Sequence, residues 1–200
     1  MFALPIVMAS GQGTTFIYDQ QSADESTISG ASATIQTAQP IGQSFTPAFS
    51  SVEFVRFRFY DPDPGNSVGA IVYINLRANS ITGTILGTSS AVSMPDGFGG
   101  GVIGVTNFFF PSAIAVTPGT VYFFQPIKQS GDANWGIVGY NTYNYAGGTA
   151  FFNGTASSSD DLWFREGLAI VPEPSTIGLG IFGAATIFIL RRSRAKKAAV

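Results

Sequence analysis

The chain has 200 residues, with twelve acidic and ten basic side chains, a formal charge of −2, and neither cysteine nor histidine. Without those two residue types there is no Ser-His-Asp or Cys-His nucleophilic site, no common zinc site, no His-ligated haem and no disulfide. Twenty-four glycines, 14% aromatic residues and only 11% charged residues describe a β-rich, turn-rich body for which no cofactor is expected.

Phe2 to Ala9 is a short apolar stretch ending in Val7-Met8-Ala9 and followed by polar Ser10-Gly11-Gln12. It is similar to the end of a secretory signal peptide, with small residues where the signal peptidase reads. No Lys or Arg precedes it, so a basic segment encoded upstream of Met1 is predicted. A first β-strand over Phe2 to Met8 is the alternative. Residues 10–40, rich in Ser, Thr, Gln and Ala, read as a loosely held polar lead-in with one edge strand at Thr14 to Asp19. The core is expected to start after Pro40, in a single β-sandwich domain over residues 41–171.

From Ser51 to Tyr60 the pattern has period two. Val55, Phe57 and Phe59 share one face and Arg56 and Arg58 the other, as in a half-buried strand. Asp61-Pro62-Asp63-Pro64-Gly65-Asn66 is a turn, and Ala70, Val72, Ile74 and Leu76 share a face of the next strand, so the two strands are expected to pair as a hairpin. Further strands are predicted at Thr84 to Ser89, Gly101 to Phe110, Thr120 to Ile127, Trp135 to Tyr140, Thr149 to Asn153 and Leu162 to Ile170. No amphipathic helix appears before the last 29 residues. Short strands separated by Gly, Pro, Asn and Asp predict an all-β antiparallel sandwich, a jelly roll first and an immunoglobulin-like sandwich second.

Three segments, Gln43-Ser44-Phe45-Thr46, Pro118-Gly119-Thr120-Val121-Tyr122-Phe123 and Asp161-Leu162-Trp163-Phe164-Arg165, resemble secreted bacterial jelly-roll modules related in shape to carbohydrate-binding modules. That resemblance bears on the fold and confers no activity.

Trp135, Tyr140, Tyr143 and Tyr145, with Asn141 nearby, form the best candidate binding cluster, because pyranose faces stack on flat rings and sugar hydroxyls pair with amides. The competing reading makes Trp135 a core plug and the tyrosines the ornament of a long loop. Asp61, Asp63 and Asn66 offer oxygen ligands to calcium, yet two prolines and a glycine suit a plain loop better. Asp160 and Asp161 are adjacent and point to opposite faces of a strand, which does not suit an acid and base pair. Nothing in the spacing of Asp96, Asp132 and Glu166 brings them together, so the chain reads as non-enzymatic. Gly97 to Gly101 lacks the following Lys-Ser/Thr of a phosphate loop. Asn153-Gly154-Thr155 fits a glycosylation sequon that carries little meaning in a bacterium.

The end of the chain is the most informative. Pro172-Glu173-Pro174 precedes an uncharged stretch over residues 175–190, then a basic cluster of Arg191, Arg192, Arg194, Lys196 and Lys197. Two prolines fix φ and remove two donors, so the motif is expected to be extended and unpaired. The stretch approaches the roughly 17–25 residues of a spanning helix, and its glycines suit close helix approach in a membrane. Lys/Arg excess marks the cytoplasmic side, so the body faces away from the cytoplasm. Residues 1–171 hold eleven acidic and five basic side chains, a formal charge of −6, which makes nucleic acid an unsuitable partner.

Residues 171–197 resemble the PEP-CTERM sorting signal of exported bacterial proteins: Pro-Glu-Pro, one apolar span, a basic end. The resemblance implies an exosortase, a membrane-embedded cysteine enzyme, as the processing partner. It also implies an inner-membrane precursor with a single C-terminal transmembrane helix, and a mature form outside the cell. An unprocessed C-terminal anchor is the alternative. Together these features describe a surface or matrix protein deposited among exopolysaccharide, with a glycan-recognition module as the second reading and a polysaccharide hydrolase as the third.

Overall fold

The computed structural model describes residues 13–27, 30–100, 104–140, 143 and 145–170. The expected signal remnant, the Pro-Glu-Pro motif, the apolar span and the basic cluster lie outside the described residues. Among the described residues there are fourteen strands and no helix, hence none long and apolar enough to cross a membrane. The main compact unit runs from Phe16 to Ala169.

The strands form two antiparallel sheets. In the first, β4 (Ser51–Tyr60) is central. On one edge it pairs with β8 (Gly104–Ala115), where Phe57 faces Thr106. Its other edge is shared by β14 (Phe164–Ile170), where Phe57 faces Phe164, and β10 (Gly136–Tyr140), where Phe59 faces Ile137. Beyond these lie β1 (Thr15–Gln21) next to β14, and β2 (Ala31–Thr34) and β13 (Asp161–Leu162) next to β10. The second sheet runs β12 (Thr155–Ser157), β11 (Ala150–Phe152), β3 (Gly42–Phe45), β9 (Tyr122–Gly131), β5 (Ala70–Ala78). The far edge of β5 is shared by β6 (Ile85–Thr88) and β7 (Val92–Met94).

The core is aromatic and draws on both sheets. Phe124 of β9 stacks on Phe45 of the same sheet at 4.2 Å between centroids. Its edge also meets Phe57 of β4 at 6.2 Å. Ala70, Val72, Ile74 and Leu76 of β5 are all buried in this core, as their period-two spacing predicts. A bulge between Val52 and Phe54 resets the alternation of β4, so that Val52, Val55, Phe57 and Phe59 all point into the core.

Four expectations are corrected. The strands at Ser51 to Tyr60 and Ala70 to Leu76 do not form a hairpin. Each belongs to a different sheet, and the proline-bearing loop between them, exposed from Pro62 to Val68, carries the chain from one sheet to the other, so that their apolar faces meet across the core. The outer face of β4 is not exposed either: Arg56 is 8% and Arg58 3% accessible, because Phe16, Tyr18 and Trp163 lie over their guanidinium groups. The core does not wait for Pro40, since Ile35 is fully buried and donates its amide to Trp135 O. Finally, the lead-in holds the expected edge strand as β1 and adds β2, and is therefore part of the first sheet instead of a loose arm.

Candidate functional site

The structure scatters the aromatic cluster. Trp135 has no accessible surface and stacks on Phe98 at 6.4 Å, so its ring is a core plug with no face for a ligand. Its Nε1 has no hydrogen-bond acceptor. Tyr143 is 4% accessible and packs with Val138 and Trp163 in a separate small core. Burial raises its phenol pKa above the ordinary value, with Arg58 opposing. Tyr145 is half-buried: its hydroxyl accepts from Thr46 N at 3.0 Å and donates to Gln20 Oε1 at 3.1 Å, and its ring stands edge-on to Phe164. Burial pushes this phenol up to about 12. The backbone of Tyr140 ends β10 opposite Asp161, whereas its side chain and all of Asn141 lie outside the described residues. Trp135, Tyr143 and Tyr145 therefore do not form a shared exposed stacking face. Rings in an aromatic-rich chain are taken into the cores because each removes a large apolar area from water.

The acidic loop residues are occupied by backbone donors. Asp61, 3% accessible, accepts from Asp63 N at 2.9 Å and from Gly97 N at 2.9 Å. Asp96 answers by accepting from Gly65 N and Ser67 N, both at 2.8 Å, and these bonds hold its carboxyl below the usual range. Asn66 donates to Asp132 Oδ2 at 2.9 Å and accepts from Val68 N at 2.7 Å. Asp63 contributes its amide to this arrangement. Among the described residues, no group of three or more Asp, Glu, His or Cys side chains is placed to hold a metal ion. Gly97 and Gly99, beside Asp96, sit at φ 73°, where a side chain would be strained; Gly101 lies outside the described residues.

A polar seam between the sheets went unread in the sequence. Gln43 of β3 donates to Asp161 Oδ1 at 2.8 Å and accepts from Leu162 N at 2.7 Å. Asp161 Oδ2 accepts from Tyr145 N at 3.0 Å. Burial raises the Asp161 carboxyl above its ordinary value, the bonds from Tyr145 and Gln43 opposing. Beyond Tyr145 lies Glu166, fully buried, with neither oxygen in a well-formed hydrogen bond. Desolvation, with the Asp19 charge beside it, pushes its carboxyl up to about 9. A single acidic residue in a strand gives no sequence signal for such placement. The runs Gln43-Ser44-Phe45-Thr46 and Asp161-Leu162-Trp163 both stand out in the sequence, but nothing in their order shows that they touch.

Asp160 sits in the turn before β13, where Asp160 Oδ2 accepts from Ser157 Oγ, apart from the bonds of Asp161. Asp96 and Asp132 hold the 61–69 loop while Glu166 lies beside β1, so these three serve different parts of the fold. The sorting residues Pro172, Glu173 and Pro174 and the cations from Arg191 to Lys197 lie outside the described residues. The chain matches no protein-family model and no curated protein sequence.

Proposed function

We propose that this chain is a non-enzymatic protein of the bacterial surface or extracellular matrix, exported and then sorted through a PEP-CTERM signal by an exosortase. The observation that carries the reading is the order at the C-terminus: Pro172-Glu173-Pro174, an uncharged span over 175–190, and five cations in the last ten residues. An anchor that is never processed has no need of an extended, donor-poor motif directly before its span. The precursor sits in the inner membrane with the body outside, and the mature form is at the cell surface or beyond it, among exopolysaccharide.

The body suits that setting. Its two sheets share one aromatic core, its loops are held by carboxylates that accept backbone amides, and its stability needs no disulfide. We read the sandwich as a jelly roll in its finer topology, a scaffold common to secreted modules.

Intact-mass spectrometry of the protein from the culture supernatant and from membranes of its native host tests the reading. The expected species ends near Pro172 to Ser175, and extra mass at that end reports covalent attachment. A full-length species confined to membranes would overturn the sorting step and leave a permanent anchor.

A further inference from the structure

Residues 1–171 carry only five cations against eleven acids, yet three of the five, Arg56 and Arg58 of β4 and Arg165 of β14, gather on the outer face of the first sheet. Arg56 and Arg165 are directly opposite in the strand register. Like charges at such a position repel unless an anion lies between them. The anion is Glu25: its Oε1 accepts from Nη1 of both Arg56 and Arg165 and from the Tyr18 hydroxyl at 3.2 Å.

The cations are fixed and the anion is exposed. The side chains of Arg56 and Arg165 are 10% and 14% accessible, against 51% for Glu25. Arg165 lies 3.5 Å over the Tyr18 ring and Arg56 4.7 Å over Phe16, so the planar forks are oriented before any ligand arrives. Arg58 lies deeper, 4.8 Å over Trp163, with Nε and Nη1 buried and without an acceptor. Glu25 thus answers all three guanidinium groups, Arg56 and Arg165 through its exposed carboxylate and Arg58 through its backbone oxygen, which accepts from Arg58 Nη2 at 2.8 Å.

The neighbours select among carboxylates. Asn107 Oδ1 accepts from Arg56 Nε and Gln21 Oε1 from Arg165 Nε, which leaves both carboxamide NH2 groups for a further acceptor. A sugar acid presents hydroxyl acceptors directly beside its carboxylate for these donors, whereas in an acidic peptide the nearest further acceptors are backbone carbonyls at the far end of the side chain. We infer that Arg56 and Arg165, with Tyr18 beside them, form a carboxylate cradle for the uronate groups of an acidic polysaccharide, and that Glu25 fills it as an internal stand-in until the glycan displaces it. The inference rests on the matrix reading for the presence of a glycan, and names the charge of that glycan.

The test is calorimetric titration of the full chain with polygalacturonate at low salt, with neutral dextran and poly-L-glutamate as comparators. Glu25→Gln is expected to bind polygalacturonate about tenfold more tightly than wild type, since a competing charge-assisted bond is removed. In the Glu25→Gln background, Arg165→Gln is expected to reverse that gain. The milder Tyr18→Phe, which removes only a hydroxyl, is expected to weaken binding about threefold. Equal affinity of wild type and Glu25→Gln would overturn the proposal. So would dextran binding as well as polygalacturonate, or poly-L-glutamate binding more tightly than polygalacturonate. Any of these failures leaves the sorting reading standing, because that is decided by the C-terminal mass of the processed protein.

Discussion

Gln43 of the second sheet and Asp161 of the first are joined side chain to side chain at 2.8 Å inside the sandwich, and the same Gln43 accepts the Leu162 amide. Gln43 is therefore a pin between the sheets, satisfying one acceptor and one donor that the apolar interior cannot. Replacing Gln43 with Leu orphans both. Each buried polar group left unpaired costs about 1–3 kcal/mol, so a loss of about 3 kcal/mol is expected in urea unfolding. Gln43→Glu sets a second carboxyl against Asp161 and is expected to be worse at neutral pH than in acid, where protonation relieves the repulsion.

Glu166 makes stability depend on pH in a definite direction. Its carboxyl is raised from 4.5 to about 9 in the folded chain, chiefly by burial. Below the unfolded value both states hold the proton and the group has no adverse effect. Between about 4.5 and about 9 the unfolded chain releases the proton while the folded one keeps it, so stability falls as pH rises through that window. Glu166→Gln removes the titration. The difference in unfolding free energy between variant and wild type is expected to grow from pH 5 to pH 9. By pH 8 it is expected to exceed about 1.4 kcal/mol, the value of one pK unit. A constant difference across that range would show that Glu166 titrates normally.

Asp61 and Asp96 hold each other's loops, so the loop end is braced by the protein itself. Calcium or a chelator is expected to leave the melting temperature unchanged, because the Asp61 oxygens already accept from Asp63 N and Gly97 N. Asp61→Ala leaves these amides without their acceptor and is expected to cost about 2 kcal/mol. Asp96→Ala is expected to act locally, with faster hydrogen exchange at Gly65 and Ser67 and little change in global unfolding. A rise in melting temperature with calcium would reopen the loop as a cation site.

Much of the fold was legible because β4, β5 and β9 are long and strongly patterned. What failed was partner choice. The period-two pattern of Val55, Phe57 and Phe59 and that of Ala70 to Leu76 is the same whether the strands share a sheet or face each other across the core. Short elements were missed for lack of pattern: β2 reads Ala-Ser-Ala-Thr and has no large apolar residue. The β11–β12 hairpin was signalled and passed over. Asn153 at φ 53° and Gly154 at φ 75° form the two-residue turn that Asn-Gly favours; the strand expected at Thr149 to Asn153 is β11, and the return strand β12 is what the sequence reading lacks. The arginine cradle was hidden for another reason: alternation assigns Arg56 and Arg58 to solvent, and only the register with Arg165 and the path of residues 22–27 bring Arg56 and Arg165 under the Glu25 carboxylate and Arg58 against the Glu25 backbone oxygen.

Trp135 and Tyr145 separate a structural from a sugar-stacking role for the aromatic segment. Trp135 is sealed against Phe98, so Trp135→Ala is expected to cost about 3–5 kcal/mol of stability, the range for a large aromatic lost from a core. Tyr145→Phe keeps the ring on Phe164 and removes only the hydroxyl that Thr46 N donates to, with an expected cost of about 1 kcal/mol. Neither substitution touches Arg56 or Arg165, so binding to an array of acidic polysaccharides is expected to match wild type when measured well below each variant's melting temperature. If Tyr145→Phe left the melting temperature unchanged yet abolished binding to a particular glycan, the phenol would have to be in contact with the sugar. In that case the 143–148 segment must open in solution far enough to release the Tyr145 hydroxyl from Thr46 and Gln20.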